Sequence, residues 1–241
     1  MIIAGLYEEL KAALEKVIAK YDLAGETLTV SCRALSVEEA IGTPREKDYP
    51  IIKGKEVMVE AVFRDGRGQA FSDEFENATY TVENLLELKT DSTRKRASFI
   101  SGLNAVYRHL ELCEHTVHCR DEEPRACAGE LVHLFSPSQK VLLIGFQPRF
   151  LETLAAHCRL RVLDQDEKNI GKTVSGIVVE SSEMTTDAVQ WCDAIFATGS
   201  TLVNGTIGNF LNQGKPAIFY GVTISAPAKI LNLKSYCRYG H

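Results

Sequence analysis

Residues 193–206 read Asp-Ala-Ile-Phe-Ala-Thr-Gly-Ser-Thr-Leu-Val-Asn-Gly-Thr. Asp193 to Ala197 is a short apolar run that suits a buried strand. Thr198-Gly199-Ser200-Thr201 then places hydroxyls around a glycine, the composition of a tight turn whose backbone approaches a ligand. Leu202, Val203, Ile207, Phe210 and Leu211 recur at helical spacing and predict a helix over 202–211. A strand, a small polar turn and a helix start leave unpaired N–H groups and a positive dipole end facing outward. The chemistry would be a grip on a phosphate, a carboxylate or another polar group. A capped strand-to-helix turn with no ligand accounts for the same composition. Asn204-Gly205 favours a site, because both residues are poor helix formers placed where a helix is due.

Other chemistry-bearing residues are more scattered. Gly145-Phe146-Gln147-Pro148 follows an apolar strand but lacks the second and third glycines of a dinucleotide grip. Asp164 ends the next strand, where an acid can hold ribose hydroxyls or simply form a turn. His109, Cys113, His115, His118 and Cys119 are the ligand types of zinc, but no standard zinc spacing is met. His109 and Cys113 also fit a helix end, one through the dipole and the other as a small hydrophobe. Cys237 and His241 have metal-ligand spacing without partners. No G-x-S-x-G, P-loop or H-E-x-x-H occurs, and no nucleophile stands out.

The elements that must hold these residues follow from the pattern. The 241 residues allow one or two domains, and 45% hydrophobic content is enough for a packed core. A net charge of −5 argues against a nucleic-acid surface. No apolar run approaches the ~20 residues of a membrane span. Residues 1–21 have amphipathic helix spacing rather than the layout of a signal peptide, so a cytoplasmic location is expected. The seven cysteines form no C-x-x-C and are expected to be free thiols.

A strand over 26–35, a second over 56–63, a hairpin turn at 65–68 and a returning strand over 69–72 precede helices at 81–88 and 98–113. This is a small α+β unit. Acids and Pro124 then open a helix that runs to about Phe135. Strands at 140–145, 160–163, 176–180, 193–197 and 217–220 alternate with helices, as an α/β unit should. Residues 138–221 are therefore expected to form one mostly parallel sheet with helices on both faces. Four strands stop at Gly145, Asp164, Thr198 and Gly221, and such carboxyl ends line the ligand crevice of an open sheet.

The segment Thr198 to Thr206 resembles the signature of the putative heavy-metal chelation family. The resemblance extends to Lys140–Phe146, Asp164 and Asn232–Gly240, and Gly102-Leu103-Asn104-Ala105 is similar to a segment of the family's companion domain. It implies an enolase-N-terminal-like α+β domain over 1–118, a Rossmann-like α/β domain over 119–241, and a site in the cleft between them. The ligand would be a small polar or anionic molecule, or a metal chelate. Thr198, Gly199, Ser200 and Thr201 would grip it, Asn204, Gly205 and Thr206 would flank it, and Gly145 and Phe146 would floor it. Asp164 would close one end, and Asn104 would reach in from the first domain. Two cofactor classes stay open, a transition metal and an adenosyl-type cofactor, the second belonging to an enzyme rather than a binding protein. Neither nucleic acid nor membrane is expected as a partner, and a homo-oligomer stays open.

Overall fold

The computed structural model describes residues 3–24 and 29–241. Helix α1 (Ile3–Lys20) buries Leu6, Leu10, Leu14, Val17 and Ile18 on one face. Strands β1 (Thr29–Leu35), β2 (Val57–Phe63), β3 (Gly66–Ser72) and β4 (Ala78–Thr81) form an antiparallel sheet in the order β3-β2-β1-β4. Residues 26–28 of the expected first strand lie outside the described residues. Two short helices, α2 (Val37–Ile41) and α3 (Pro50–Lys53), join β1 to β2. Ser36 and Glu39 open α2 as a capping box, each side chain accepting from the other's N–H.

Helices α4 (Val82–Glu87) and α5 (Thr93–His109) complete this part. The hairpin turn falls on Arg64 and Asp65, so Gly66 and Gly68 belong to β3 rather than to the expected turn at 65–68. Their role is close approach: a Cβ on either glycine would run into the backbone of α5 at Ala105.

The remainder is α6 (Glu123–Gly129), β5 (Lys140–Ile144), α7 (Pro148–His157), β6 (Arg159–Asp164), β7 (Thr173–Val174), β8 (Ile177–Ser181), α8 (Thr185–Trp191), β9 (Ala194–Thr198), α9 (Ser200–Val203), β10 (Ala217–Tyr220), α10 (Ser225–Ile230) and β11 (Lys234–Tyr236). Seven strands lie in the order β11-β10-β9-β5-β6-β8-β7, and every pairing is parallel except β7 with β8. The expected parallel sheet is present, extended past Gly221 by β11. From β5 the chain steps outward through β6 and β8, then returns to β9 on the other side of β5. The carboxyl ends of β5 and β9 therefore flank the switch point, where an open parallel sheet forms its crevice.

Both faces of the parallel sheet are covered. Leu142 and Ile144 of β5 share a core with Ala188 of α8 and with Phe99 and Leu103 of α5. Val141 and Leu143 pack on the opposite face with Phe150 and Leu151 of α7. The first core is continuous through both sheets. All seven cysteines are free. Among the described residues no helix is long and apolar enough to cross a membrane.

Candidate functional site

A cavity of about 600 Å³ opens at the switch point. One wall is the carboxyl edge of the parallel sheet, with Gly145, Asp164, Thr198, Ser200, Thr201, Asn204 and Thr206. The other wall is the adjoining end of the antiparallel sheet, with Glu56 just before β2 and Ser72 and Asp73 at the end of β3. Phe71 N–H donates to Thr223 Oγ1 at 3.0 Å and holds the two edges together. A second, smaller space of about 140 Å³ adjoins it on the inner side of Gly145, lined by Phe146, Phe150, Tyr220, Tyr236 and Tyr49.

The turn after β9 is tighter than its sequence suggests. The expected helix over 202–211 is a single turn, α9, followed by a 3₁₀ turn at Ile207–Asn209. Asn204 and Gly205 end it: Asn204 Oδ1 accepts from Thr206 N–H and Oγ1 at 3.2 and 2.7 Å, and Gly205 takes φ +85°. A one-turn helix has little dipole to offer. Part of the turn's donor set is also engaged. Gly199 N–H donates to Tyr220 O at 2.8 Å, Ser200 N–H to Thr198 Oγ1 at 3.3 Å, and Thr201 Oγ1 to Thr198 O at 2.7 Å. Thr198 Oγ1 donates to Ser200 Oγ at 3.1 Å. Since that hydroxyl accepts, its own proton stays available to the cavity.

Gly199 does not line either space. Its φ is −59°, and an added Cβ would come within 2.9 Å of Ile224, so it is there for packing. Gly205 lies outside the lining as well. Gly145 does line both, at φ +93°, and a Cβ there would sit 2.9 Å from Thr198 Cγ2 and Tyr220 Oη. Phe146 lines the inner space and not the outer.

Asn104 is also placed elsewhere. It is fully buried, donates to Gln69 O and Val222 O at 3.0 and 3.1 Å, and accepts from Ala226 N–H at 2.9 Å. Ala226 stands in the first turn of α10, so Asn104 caps a helix of the parallel-sheet part from within α5. It is a joint between the two sheets and not a ligand contact.

Asp164 borders both spaces, but its carboxylate serves the fold. Oδ2 accepts from Phe146 N–H at 2.6 Å, and Oδ1 accepts from Asp166 N–H and Asn169 Nδ2 at 2.7 and 3.3 Å. Three of its roughly four acceptor positions are taken. That leaves about one acceptor position on Asp164 for a ligand hydroxyl.

Sequence reasoning missed Glu56. It borders both spaces and has no hydrogen-bond or ion-pair partner among the described residues. Protein surrounds it on most sides, yet its carboxylate stays accessible from the cavity. Burial, then the charges of Asp164, Asp166 and Asp73, push it up to about 7. A lone acid before an apolar strand carries no sequence signal. The acidic run Asp164-Gln165-Asp166-Glu167 was visible, and three of its members join Glu56 in the outer cavity as acids.

The histidine and cysteine cluster divides. His109 pairs with Asp65 and meets Arg64 Nη1 at 3.1 Å, while His115 bonds Gly240 O at 2.7 Å. His118 and Cys119 reach the inner space, joined there by Cys127 and Cys237. Burial lowers His118 to about 4, so it is neutral and donates Nδ1–H to Cys119 O at 2.5 Å. Among the described residues no three His, Cys, Asp or Glu side chains stand so as to hold a metal ion. A resident metal therefore does not fit these residues.

A two-sheet α/β chain with an acidic cleft at its switch point is the class these features define. Residues 130–231 match the family DUF364, Putative heavy-metal chelation, which bears out the resemblance read from the turn at 198–206. The fold is similar to that of a DUF364-family protein of unknown function from Pyrococcus horikoshii, at 18% identity and TM-score 0.54. That match covers 90% of this chain and 79% of the other. A DUF364-family protein of unknown function from Desulfitobacterium hafniense matches at 15% identity and TM-score 0.48, covering 67% of this chain and 66% of the other. No curated protein matches the chain.

Proposed function

We propose that the protein binds a small polar cation, or a metal carried in as a chelate, in the cleft between the two sheets. One observation carries this reading: the outer cavity is walled by Glu56, Asp73, Asp164, Asp166 and Glu167 against Lys55 and Lys168. Five carboxylates against two ammoniums favour positive charge, the opposite of the anionic ligand that the hydroxyl-rich turn suggested. The hydroxyls then serve as acceptors for a hydrated or amine-bearing ligand. A metal would arrive with its own donors, and Glu56 would add a carboxylate. The same reading divides the chain at 118/119 into an enolase-N-terminal-like domain and a Rossmann-like domain. In its support, each sheet comes wholly from one side of that point.

A second reading, an enzyme that moves a proton, rests on Glu56 alone, whose pKa near neutrality suits a general acid or base. Exchange-inert complexes test the main reading. Calorimetry at pH 8 should find hexaamminecobalt(III) binding at one site, with affinity falling tenfold or more in Glu56→Gln. Hexacyanocobaltate(III) should not bind. Equal binding of the two complexes, or no loss in the variant, overturns it.

A further inference from the structure

The outer cavity and the inner space adjoin each other. They share Glu56, Gly145, Asp164, Asp166, Thr198 and Ser200 among their walls. Their characters differ sharply. The outer part is acidic and rich in hydroxyls. The inner part is faced by aromatic rings: Tyr220 stands 5.1 Å from Phe150 edge-on, and Phe71 stands 5.3 Å from His118 in the same way. Asp164 and Asp166 border it as well, on the side it shares with the outer part, while its histidine and thiols add no charge. Burial holds His118 neutral at about 4 and pushes the Cys237 thiol up to about 12. The inner volume of about 140 Å³ is close to the ~150 Å³ of an apolar cavity that admits benzene.

One further mark points to an occupant. Tyr49 lines the inner space, is 7% exposed, and its buried hydroxyl has no hydrogen-bond partner among the described residues. A buried donor without a partner is uncommon in a folded chain. Where the two parts adjoin stands Glu56, whose exposed carboxylate is free to meet a ligand.

Building on the cationic reading of the outer cavity, we propose that the ligand is an amphipathic organic cation. Its aromatic ring enters the inner chamber, its charged nitrogen meets Glu56 at the mouth, and its polar remainder lies among the outer hydroxyls. The ring faces supply cation–π attraction near the mouth as well as apolar burial. Discrimination follows from the same walls. A ring without charge loses Glu56, a charge without a ring leaves the inner chamber unfilled, and an anion is repelled at the mouth.

The test compares four probes on the unaltered protein by calorimetry at pH 8: benzamidinium, guanidinium, benzoate and benzyl alcohol. Benzamidinium should bind at least tenfold tighter than guanidinium and at least a hundredfold tighter than benzoate. In Glu56→Gln, benzamidinium should lose tenfold or more while benzyl alcohol stays within twofold. Equal affinities for benzamidinium and guanidinium overturn the ring chamber but leave the cationic cleft standing. So does binding of the cobalt ammine with no binding of benzamidinium. Benzoate binding as tightly as benzamidinium overturns both. The comparison on the unaltered chain decides the matter even where the variant fails to fold.

Discussion

Asn104 offers the sharpest test of how the two sheets are joined. Asn104→Ala removes a side chain that satisfies Gln69 O, Val222 O and Ala226 N–H at once. Val222 O keeps a partner, because Ser225 Oγ also donates to it at 2.9 Å. Gln69 O and Ala226 N–H are left buried and unpaired, each at a cost of about 1–3 kcal/mol. Alanine returns about 0.5 kcal/mol in the helix interior, and a water drawn into the vacated space would offset part of the rest. The expected loss is about 2–5 kcal/mol, a large fraction of the ~5–15 kcal/mol that holds a protein of ordinary stability. Urea titrations followed by far-UV circular dichroism and by the fluorescence of Trp191, the chain's one tryptophan, measure it. Coincident transitions would license the free-energy comparison. Asn104→Asp should cost more than alanine at pH 7, since it sets a buried carboxylate against carbonyl oxygens, and should recover as acid protonates it. A midpoint unchanged to within ~0.5 kcal/mol, with weaker ligand binding instead, would refute the joint and return Asn104 to the ligand.

Gly199→Ala should destabilise the fold by about 1–3 kcal/mol through overpacking against Ile224, while the folded fraction keeps its affinity for cationic probes. Thermal melts paired with calorimetry check this, and a variant that loses affinity at unchanged stability would place Gly199 on the ligand. Glu56→Gln should raise the melting temperature at pH 8 and leave it nearly unchanged at pH 5. The folded pKa of about 7 lies above the ordinary 4.5, so the parent's stability from this group is full below about 4.5 and is lost as pH rises through 7. The acids that face it, Asp73, Asp164 and Asp166, are the same in both proteins. Equal melts at pH 8 would contradict the raised pKa.

The parallel sheet was legible because its strands are short apolar runs ended by Gly145, Asp164, Thr198 and Gly221, and nothing competes with that pattern. Strand β11 was not, since Lys234-Ser235-Tyr236 has neither length nor apolar content and is held by pairing with β10. Helix α2 carried a readable signature in Ser36 and Glu39, but its five residues are too few to show an apolar period. The helix over 202–211 was overcalled. Five apolar residues met the periodicity, while Asn204 and Gly205, flagged as poor helix formers, ended it. At the site, the cavity-lining turn could be located from composition. Its sign could not, because the carboxylates that set it stand just before β2, just after β3, and at and beyond the end of β6, positions far apart in sequence. Glu56 gains its character only from that convergence.

The continuous core bears on how this molecule could change over time. Phe99 and Leu103 of α5 share their packing with Leu142 and Ile195 of the parallel sheet. Swinging one sheet away from the other would expose that apolar surface at ~25 cal/mol for each Å². That cost disfavours a hinge between the sheets, so selectivity for a new ligand is not expected to come from a wider or narrower closure. It would come from exchanging side chains at the rim, one at a time, on loops that the core does not depend on. Lineages of this fold would then be expected to diverge first in residues such as Asp73, Gln165 and Lys168, exposed at the cavity's edge, while the joint at Asn104 stays put.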